Sequence, residues 1–192
     1  MLNIGVLALQ GDFAEHLQAL RRLGVQAKEV RLAAQLEGLD GLILPGGEST
    51  TMGKLMVDFG LLEPLRAFGE KHAMWGTCAG AILLSKDARR SQPLLGLMDI
   101  TVERNAFGRQ VDSFEADLNI TGLGKSGNQA LFHAVFIRAP IIESVSKPAE
   151  VLAQLPDGRI VAARQEKLLA TSFHPELTGD DRFHQYFISL VT

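Results

Sequence analysis

The first half of the chain alternates short apolar runs with amphipathic stretches, and this alternation limits the possible folds more than any other feature. Apolar runs of strand length occupy 4–9, 25–30 and 41–44, and the stretch 13–23 between the first two repeats its apolar residues near helical spacing. Strands that alternate with helices form parallel sheets with helices packed on both faces. The pattern therefore predicts an α/β fold built on an open, mostly parallel sheet in three layers.

The second half is predicted to add antiparallel strands to that sheet. Five further runs of strand length are found at 100–103, 114–118, 135–138, 151–155 and 160–163. The turn Pro156-Asp157-Gly158 separates the last two and indicates a β-hairpin. The run 168–172 is expected to return to the main sheet, 181–191 to form a closing helix, and 122–128 to form a flexible loop.

Length and charge narrow the class of protein. The 192 residues suit one ordinary domain, so we expect a single domain over 1–192. The formal net charge of −3 argues against the large basic surface that nucleic-acid binding requires. No run approaches the roughly 20 apolar residues of a membrane-spanning helix, and the first residues resemble a buried strand rather than a secretory signal. The expected location is the cytoplasm.

Cys78 is the only cysteine, which excludes an internal disulfide and a zinc site built from several cysteines. It lies in Gly76-Thr77-Cys78-Ala79-Gly80, between a predicted strand and a predicted helix. A nucleophile on such a sharp elbow needs small neighbours, and the N–H of Ala79 is suited to stabilise an oxyanion. The start of the helix favours a thiolate. The alternative is a buried structural cysteine at a close-packed helix start.

A second motif, His174-Pro175-Glu176, follows the predicted strand 168–172. A thiol nucleophile is usually paired with a histidine whose ring is oriented by a third group, and His174 and Glu176 suit these two roles. Residues two apart in an extended segment project to the same side, which allows the contact. The alternative is a turn with a solvated acid. Of the other histidines, we expect His72 and His184 to be ordinary helix or loop residues and leave His16 and His133 undecided.

The third motif is Pro45-Gly46-Gly47-Glu48-Ser49-Thr50, directly after the predicted strand 41–44. Its glycines allow close approach of the backbone to a ligand and are suited to complete an oxyanion hole. The loop lacks the Gly-Lys-Ser/Thr ending of a phosphate-binding loop, and the alternative is a tight turn before a helix capped by Ser49 or Thr50. All three motifs follow strands of one open sheet, the edge where such sheets bind ligands, so we expect one site.

Together, Gly76-Thr77-Cys78-Ala79-Gly80 and Phe173-His174-Pro175-Glu176 resemble the motifs of the class I (triad) glutamine amidotransferases, which have a flavodoxin-like sheet. The long blocks that begin at Gly5, Leu44 and Phe136, and above all the block 102–115, are more narrowly similar to the glutaminase subunit of pyridoxal 5′-phosphate synthase. The resemblance covers nearly the whole chain. It implies hydrolysis of glutamine to glutamate and ammonia through a glutamyl thioester.

The resemblance also implies the roles of individual residues. Cys78 is the implied nucleophile, His174 its base and Glu176 the acid that orients the histidine, with Gly47 and Ala79 as the oxyanion hole. The implied glutamine contacts are Gly46, Gly47, Glu48, Ser49, Arg104, Ile137 and Arg138. No metal or organic cofactor is implied. The implied partner is a synthase subunit in a large hetero-oligomer, which receives the ammonia and organises the oxyanion hole on docking.

Two other functions remain open from the residues alone. A cysteine hydrolase or peptidase on a related sheet uses a similar elbow, although it has little need of charged contacts such as Arg104 and Glu48 for an amino-acid head group. A non-catalytic regulatory subunit keeps the fold but is expected to lack a member of the triad, and here all three residues are present.

Overall fold

The computed structural model describes residues 2–104, 113–123 and 131–192. The strands in these ranges are β1 Asn3–Leu7, β2 Gln26–Val30, β3 Gly41–Leu44, β4 Ala73–Thr77, β5 Ser85–Asp87, β6 Met98–Glu103, β7 Ser113–Leu118, β8 Phe132–Ile137, β9 Ile141–Val145, β10 Glu150–Gln154, β11 Ile160–Gln165 and β12 Leu168–Thr171. The α-helices are α1 Phe13–Arg22, α2 Ser49–Asp58, α3 Leu62–Gly69, α4 Ala79–Leu84 and α5 Arg182–Val191, and two short 3₁₀ helices cover Ala33–Leu36 and Pro175–Leu177.

One large mixed sheet organises the described residues. Its strand order is β2-β1-β3-β4-β12-β11-β9-β6-β5, with β10 paired to β11. The run from β2 to β12 is parallel, whereas β11 is antiparallel to β12, β10 and β9, and β9 is antiparallel to β6. Strands β7 and β8 form a separate antiparallel pair. The predicted α/β sheet with antiparallel additions in its second half is confirmed.

Alternate residues of the central strands enter two separate cores, as a three-layer fold requires. On β3, Leu42 and Leu44 belong to one apolar cluster and Ile43 to the other. The first cluster includes residues of α2, α3 and α4, and the second includes residues of α1 and α5. Trp75 on β4 is fully buried in the second cluster and stacks near Phe183 of α5, with ring centroids 6.0 Å apart. Helices therefore cover both faces of the sheet.

Most of the sequence-predicted elements are found within two residues of their expected ends. The hairpin at Pro156-Asp157-Gly158 is confirmed, because β10 and β11 pair on either side and the Gly158 N–H donates to the Leu155 carbonyl at 2.9 Å. Strand β12 returns to the parallel sheet beside β4, as expected. Most of the predicted loop 122–128 and part of the motif block 102–115 lie outside the described residues.

Two strands, one α-helix and the two short 3₁₀ helices of the described residues were not predicted. Strand β5 has only three residues, Ser85–Asp87, too few for a periodic signal. Strand β9 has a polar centre and follows Pro140 directly, and α3 carries a proline in its first turn and follows α2 after a short connection. Within the described ranges, no helix is long and apolar enough to cross a membrane.

Candidate active site

The ends of three neighbouring parallel strands bring the three motifs together. Strand β4 lies between β3 and β12, with Leu44 opposite Gly76 and Thr171 opposite Thr77. The segments that follow these strands therefore leave the sheet at one edge. They border a cleft of about 440 Å³. The cleft lining includes Cys78, Ala79, His174, Gly47, Glu48, Ser49, Arg104, Ile137 and Arg138.

Cys78 occupies a strained turn between β4 and α4. Its backbone has φ 48° and ψ −105°. Residues other than glycine rarely adopt this conformation, which costs about 1–3 kcal/mol. The expected need for glycine on both sides is confirmed. A Cβ atom on Gly76 would lie 2.3 Å from the Gly80 carbonyl, and one on Gly80 would lie 2.0 Å from the carbonyl oxygen of Leu44. The turn thus presents the sulfur to the cleft at the start of a helix.

His174 connects the cleft to the buried acid Glu176. His174 is 4% exposed, and its Nδ1 lies 2.7 Å from Oε1 of Glu176, a residue that is 7% exposed. The ring also interacts with the thiol of Cys78. The contact between His174 and Glu176 was predicted from an extended segment, but Pro175–Leu177 is a 3₁₀ turn. Pro175 is the first residue of that turn, and the turn brings Glu176 back to the ring of His174.

The charge state of His174 follows from its two partners. Burial opposes protonation, but hydrogen bonds and charge interactions with Cys78 and Glu176 prevail and raise the pKa of His174 to about 10. The pKa of Glu176 is itself raised, chiefly by burial, although His174 opposes that rise. An imidazolium between a sulfur and a carboxylate is the arrangement of an activated thiol nucleophile.

We therefore expect His174 to remain protonated at pH 8, where an unperturbed histidine is neutral. NMR titration of its imidazole is expected to show loss of the proton as the pH rises through about 10. Because the pKa is raised on folding, the group contributes its full stability below pH 6.5 and loses that contribution as the pH rises through about 10. In Cys78→Ser the pKa of His174 should fall, since one of its two partners is weakened. A neutral His174 in the wild type at pH 8 would refute this prediction.

Hydrogen bonds and an ion pair hold the carboxylate of Glu48 in place. Its carboxylate accepts hydrogen bonds from the N–H groups of Thr50 and Thr51 and thereby caps α2, so the expectation that Ser49 or Thr50 is the cap is wrong. It also pairs with Arg104 at 2.8 Å. Burial acts in the opposite direction, but the hydrogen bonds from Thr51 and Thr50 and the charge of Arg104 lower the pKa of Glu48 to about 2. Cap and charge pair stabilise the same carboxylate.

The glycine loop is attached to the segment after β1. The Gly46 carbonyl accepts the N–H of Asp12 at 3.1 Å, and the N–H of Glu48 donates to the side-chain oxygen of Gln10 at 2.7 Å. Gly46 itself is set back from the cleft, against the imidazole of His174, where a Cβ would lie 2.5 Å from Cε1. The close approach of Gly11 to the Gly46 carbonyl, 1.8 Å from an added Cβ, leaves no space for a side chain.

Gln10 and Asp12 also lie at the site, although the sequence analysis did not predict a role for either residue. Both line the cleft, and an Asp12 carboxylate oxygen lies 3.6 Å from Nδ1 of His174. Burial raises the pKa of Asp12, and the charge of His174 opposes the rise. The available signal was positional, because these residues follow β1, which runs parallel beside β3. A segment after β1 therefore reaches the same edge as the other motifs.

Arg104, Ile137 and Arg138 form the far wall of the cleft. Arg104 follows β6 and donates to the hydroxyl of Thr50 at 3.0 Å as well as pairing with Glu48. Ile137 ends β8, and Arg138 follows it with a left-handed backbone, φ 42°. Apart from Gly46, the residues that the sequence assigned to the glutamine pocket are thus brought together from the main sheet and from the β7–β8 pair.

One group in the site has the composition of a metal site. Asp12, His174 and Glu176 present ligand atoms that lie within 4.8 Å of one another. The Nδ1 atom of His174 is already hydrogen-bonded to Glu176, however, and that bond accounts for the grouping. The arrangement supports nucleophilic catalysis by a thiol with a histidine proton carrier and an orienting carboxylate.

Comparisons with known proteins point in the same direction. The family model described as SNO glutamine amidotransferase matches residues 6–192. A pyridoxal 5′-phosphate synthase subunit PdxT from Herpetosiphon aurantiacus is 59% identical over 194 residues, covering 98% of this chain and 100% of the relative. Another subunit of that name, from Thermus thermophilus, is 56% identical over 192 residues and covers 98% of this chain and 97% of the relative.

Solved structures share the fold. A crystal structure of a glutamine amidotransferase is 54% identical, with a TM-score of 0.91 and 98% coverage of each chain. PurLQS from Thermotoga maritima, at 16% identity, has a TM-score of 0.73 and covers 100% of this chain and 99% of its own; at that identity the likeness concerns the fold alone. The sheet order described above is therefore that of a known architecture.

Proposed function

The chain belongs to the SNO glutamine amidotransferase family, and from this premise we propose that it hydrolyses L-glutamine to L-glutamate and ammonia as the glutaminase subunit of a pyridoxal 5′-phosphate synthase. The observation that carries the proposal is the geometry of the triad. Cys78 lies on a strained elbow, and His174 interacts with its thiol and hydrogen-bonds to the buried carboxylate of Glu176. Relatives that are 52–59% identical over nearly the full chain are named as subunits of that synthase.

In the proposed reaction the Cys78 thiolate adds to the side-chain amide carbon of glutamine, and the carbonyl oxygen takes the negative charge. Protonated His174 then gives its proton to the departing nitrogen, the C–N bond breaks, and ammonia leaves behind a glutamyl thioester. Neutral His174 takes a proton from water, whose oxygen attacks the thioester. The C–S bond breaks, glutamate is released, and the thiolate–imidazolium pair is restored.

Two backbone N–H groups are proposed to stabilise the oxyanion. That of Ala79 stands at the first position of α4, where no acceptor exists inside the helix. The other is that of Gly47, in the loop joined to Gln10 and Asp12 by hydrogen bonds. Two glycines allow the Gly46–Gly47 peptide to turn without a side-chain clash, although turning it breaks the hydrogen bond from the Asp12 N–H to the Gly46 carbonyl. Docking of a partner is therefore proposed to organise this half of the hole.

Substrate recognition is proposed to use the charged far wall. The head group of glutamine carries an ammonium and a carboxylate, and arginine is the preferred partner of a carboxylate in bidentate geometry. Arg104 and Arg138 line the cleft together with the ionised Glu48, which suits the ammonium. Gly47, Ser49 and Ile137, which also line the cleft, complete the proposed contacts, whereas Gly46 lies behind it against His174 and is proposed only to support the loop. A hydrolase of broad specificity would not need this combination of charges.

The proposed partner is the synthase subunit, which receives the ammonia in a hetero-oligomer of both chains. Two apolar side chains at the cleft, Ile137 and Leu177, are 38% and 44% exposed, and such exposure beside a catalytic cleft suits a docking surface. We propose a cytoplasmic location, because a reducing compartment keeps the free thiol of Cys78 reduced. The fold is proposed to be one domain over 1–192.

The test is glutamate release from glutamine by the purified chain, alone and with the synthase subunit of a pyridoxal 5′-phosphate synthase. If docking supplies one oxyanion donor, the rate is expected to rise by about 100-fold with the partner. Casein and simple amides serve as control substrates and should not be cleaved. Equal rates with and without the partner would contradict the proposed activation, and cleavage of the control substrates would favour a general cysteine hydrolase.

A further inference from the structure

Two buried histidines outside the triad lie directly behind Glu176. His16 on α1 and His184 on α5 are both fully buried, although sequence reasoning left the first undecided and expected the second to be an ordinary helix or loop residue. Nδ1 of His16 lies 3.0 Å from Nε2 of His184. Nε2 of His16 lies 3.2 Å from the hydroxyl of Thr77 and 3.4 Å from Oε2 of Glu176. The reaction described above uses neither histidine.

Both imidazoles are neutral near pH 7. Burial lowers the pKa of His16 well below its usual value, and the nearby His184 and His174 lower it further. Burial likewise lowers the pKa of His184 to about 4, with a smaller opposing effect of Asp181 and a small lowering effect of Arg22. A neutral imidazole carries one N–H donor and one acceptor nitrogen, so each ring must choose a tautomer.

The tautomers of His16 and His184 follow from the one ring nitrogen of the two residues that has no hydrogen-bond partner in the part of the chain that the structure describes. Nδ1 of His184 is buried and has no hydrogen-bond partner among the described residues. An unpaired buried donor is rarer than an unpaired acceptor, so this nitrogen is the one without a proton. His184 then carries its proton on Nε2 and donates it to Nδ1 of His16. With Nδ1 accepting, His16 must carry its own proton on Nε2.

That proton points at the second oxygen of the triad acid. Oε2 of Glu176 is buried and makes no hydrogen bond of normal length among the described residues, and its contact with Nε2 of His16 is long at 3.4 Å. The same N–H is shared with the hydroxyl of Thr77. The other charged groups near Glu176 are His174, on its first oxygen, and Asp12. A neutral donor stabilises the buried carboxylate without adding a competing positive charge beside His174.

We propose that His16 is a positioning residue of the reaction: its Nε2–H holds the Glu176 carboxylate in place, and His184 sets the tautomer that makes this possible. The inference rests on the proposed glutaminase function for its kinetic consequence only. Without the donor, Glu176 is a buried carboxylate with one hydrogen-bonded oxygen, which favours its protonation. A protonated Glu176 no longer orients the imidazole of His174 or favours its charge.

The experiment compares His16→Leu with His16→Gln in the complex with the synthase subunit. Glutamine keeps an N–H near the position of Nε2, whereas leucine has similar bulk and no donor. We expect His16→Leu to lower kcat by about 10- to 100-fold, the effect typical of partners that orient a functional histidine, with KM little changed. His16→Gln should recover most of that loss. His72→Leu, which removes a histidine that stacks on Phe68 away from the triad, should leave kcat unchanged.

Two NMR measurements on the chain itself do not depend on glutamine turnover. The ¹⁵N shifts of wild-type His16 should show the Nε2–H tautomer, and the pKa of His174 should fall by about one unit or more in His16→Leu but not in His16→Gln. A wild-type His16 protonated on Nδ1 would overturn the proposal even if no variant folded. Equal His174 titration in both variants would also overturn it. Absence of glutamine hydrolysis with the expected NMR results would instead reject the proposed function and leave the network standing.

Discussion

Replacing Cys78 with alanine is expected to abolish glutamine hydrolysis, with a loss of at least about 10,000-fold, because the thioester then has no sulfur to form on. The backbone N–H groups and the charged far wall remain in this variant. They bind glutamine without cleaving it, so the affinity for glutamine should change little. Glutamate release in the presence of the synthase subunit measures the effect.

Ammonium salts provide the control for this variant. The complex of Cys78→Ala with the synthase subunit should make pyridoxal 5′-phosphate from added ammonia at the wild-type rate, since the glutaminase step is bypassed. A failure with ammonia would show that the substitution disturbs assembly rather than chemistry. Glutamine-dependent synthesis by the Cys78→Ala complex would refute the hypothesis that Cys78 is the nucleophile. It would favour the alternative that the chain is a non-catalytic regulatory subunit.

The second large effect is expected for Glu176→Gln, with a loss of kcat of about 1,000- to 10,000-fold. The glutamine amide preserves the shape of the side chain but removes its charge, so His174 loses both the favoured tautomer and a source of its raised pKa. Steady-state kinetics should show the loss in kcat with KM nearly unchanged, because Glu176 lies behind the imidazole and does not line the cleft.

Glu150→Gln is the matched control for that substitution. Glu150 is an exposed glutamate at the start of β10, and the same change of chemistry there should leave kcat within experimental error. Titration of His174 should also separate the two variants, with a lower pKa only in Glu176→Gln. If Glu176→Gln retained most of the activity, another acid would have to orient His174, and Asp12, at 3.6 Å from Nδ1, would be the candidate.

The strongest sequence predictions concerned features that the local pattern encodes. Gly76 and Gly80 were required by the elbow, and both are sites where an added Cβ would meet backbone atoms. The segments after the predicted strands 41–44, 72–75 and 168–172 were expected at one edge, because parallel strands have their carboxyl ends on the same side. That rule was sufficient to predict a joint site from Cys78 and His174.

Local patterns were less informative where several groups compete for one partner. Ser49 and Thr50 were reasonable helix caps by residue type, but the carboxylate of Glu48 reaches two N–H groups of the first turn and takes that position. Strand β9 was missed for a different reason. Its own sequence gives a weak strand signal, and its pairing with β6 and β11 stabilises it.

By itself, the sequence determined the α/β class and the elbow at Cys78, and it predicted that Cys78, His174 and Glu176 meet in one site, because apolar spacing and short motifs act through neighbours in the chain. Only the tertiary structure decided what stands behind the triad. His16 and His184 are separated by 168 positions and meet because α1 and α5 pack on the same face of the sheet. A local pattern carries no information about such a contact, since it depends on strand order and on which face each helix covers.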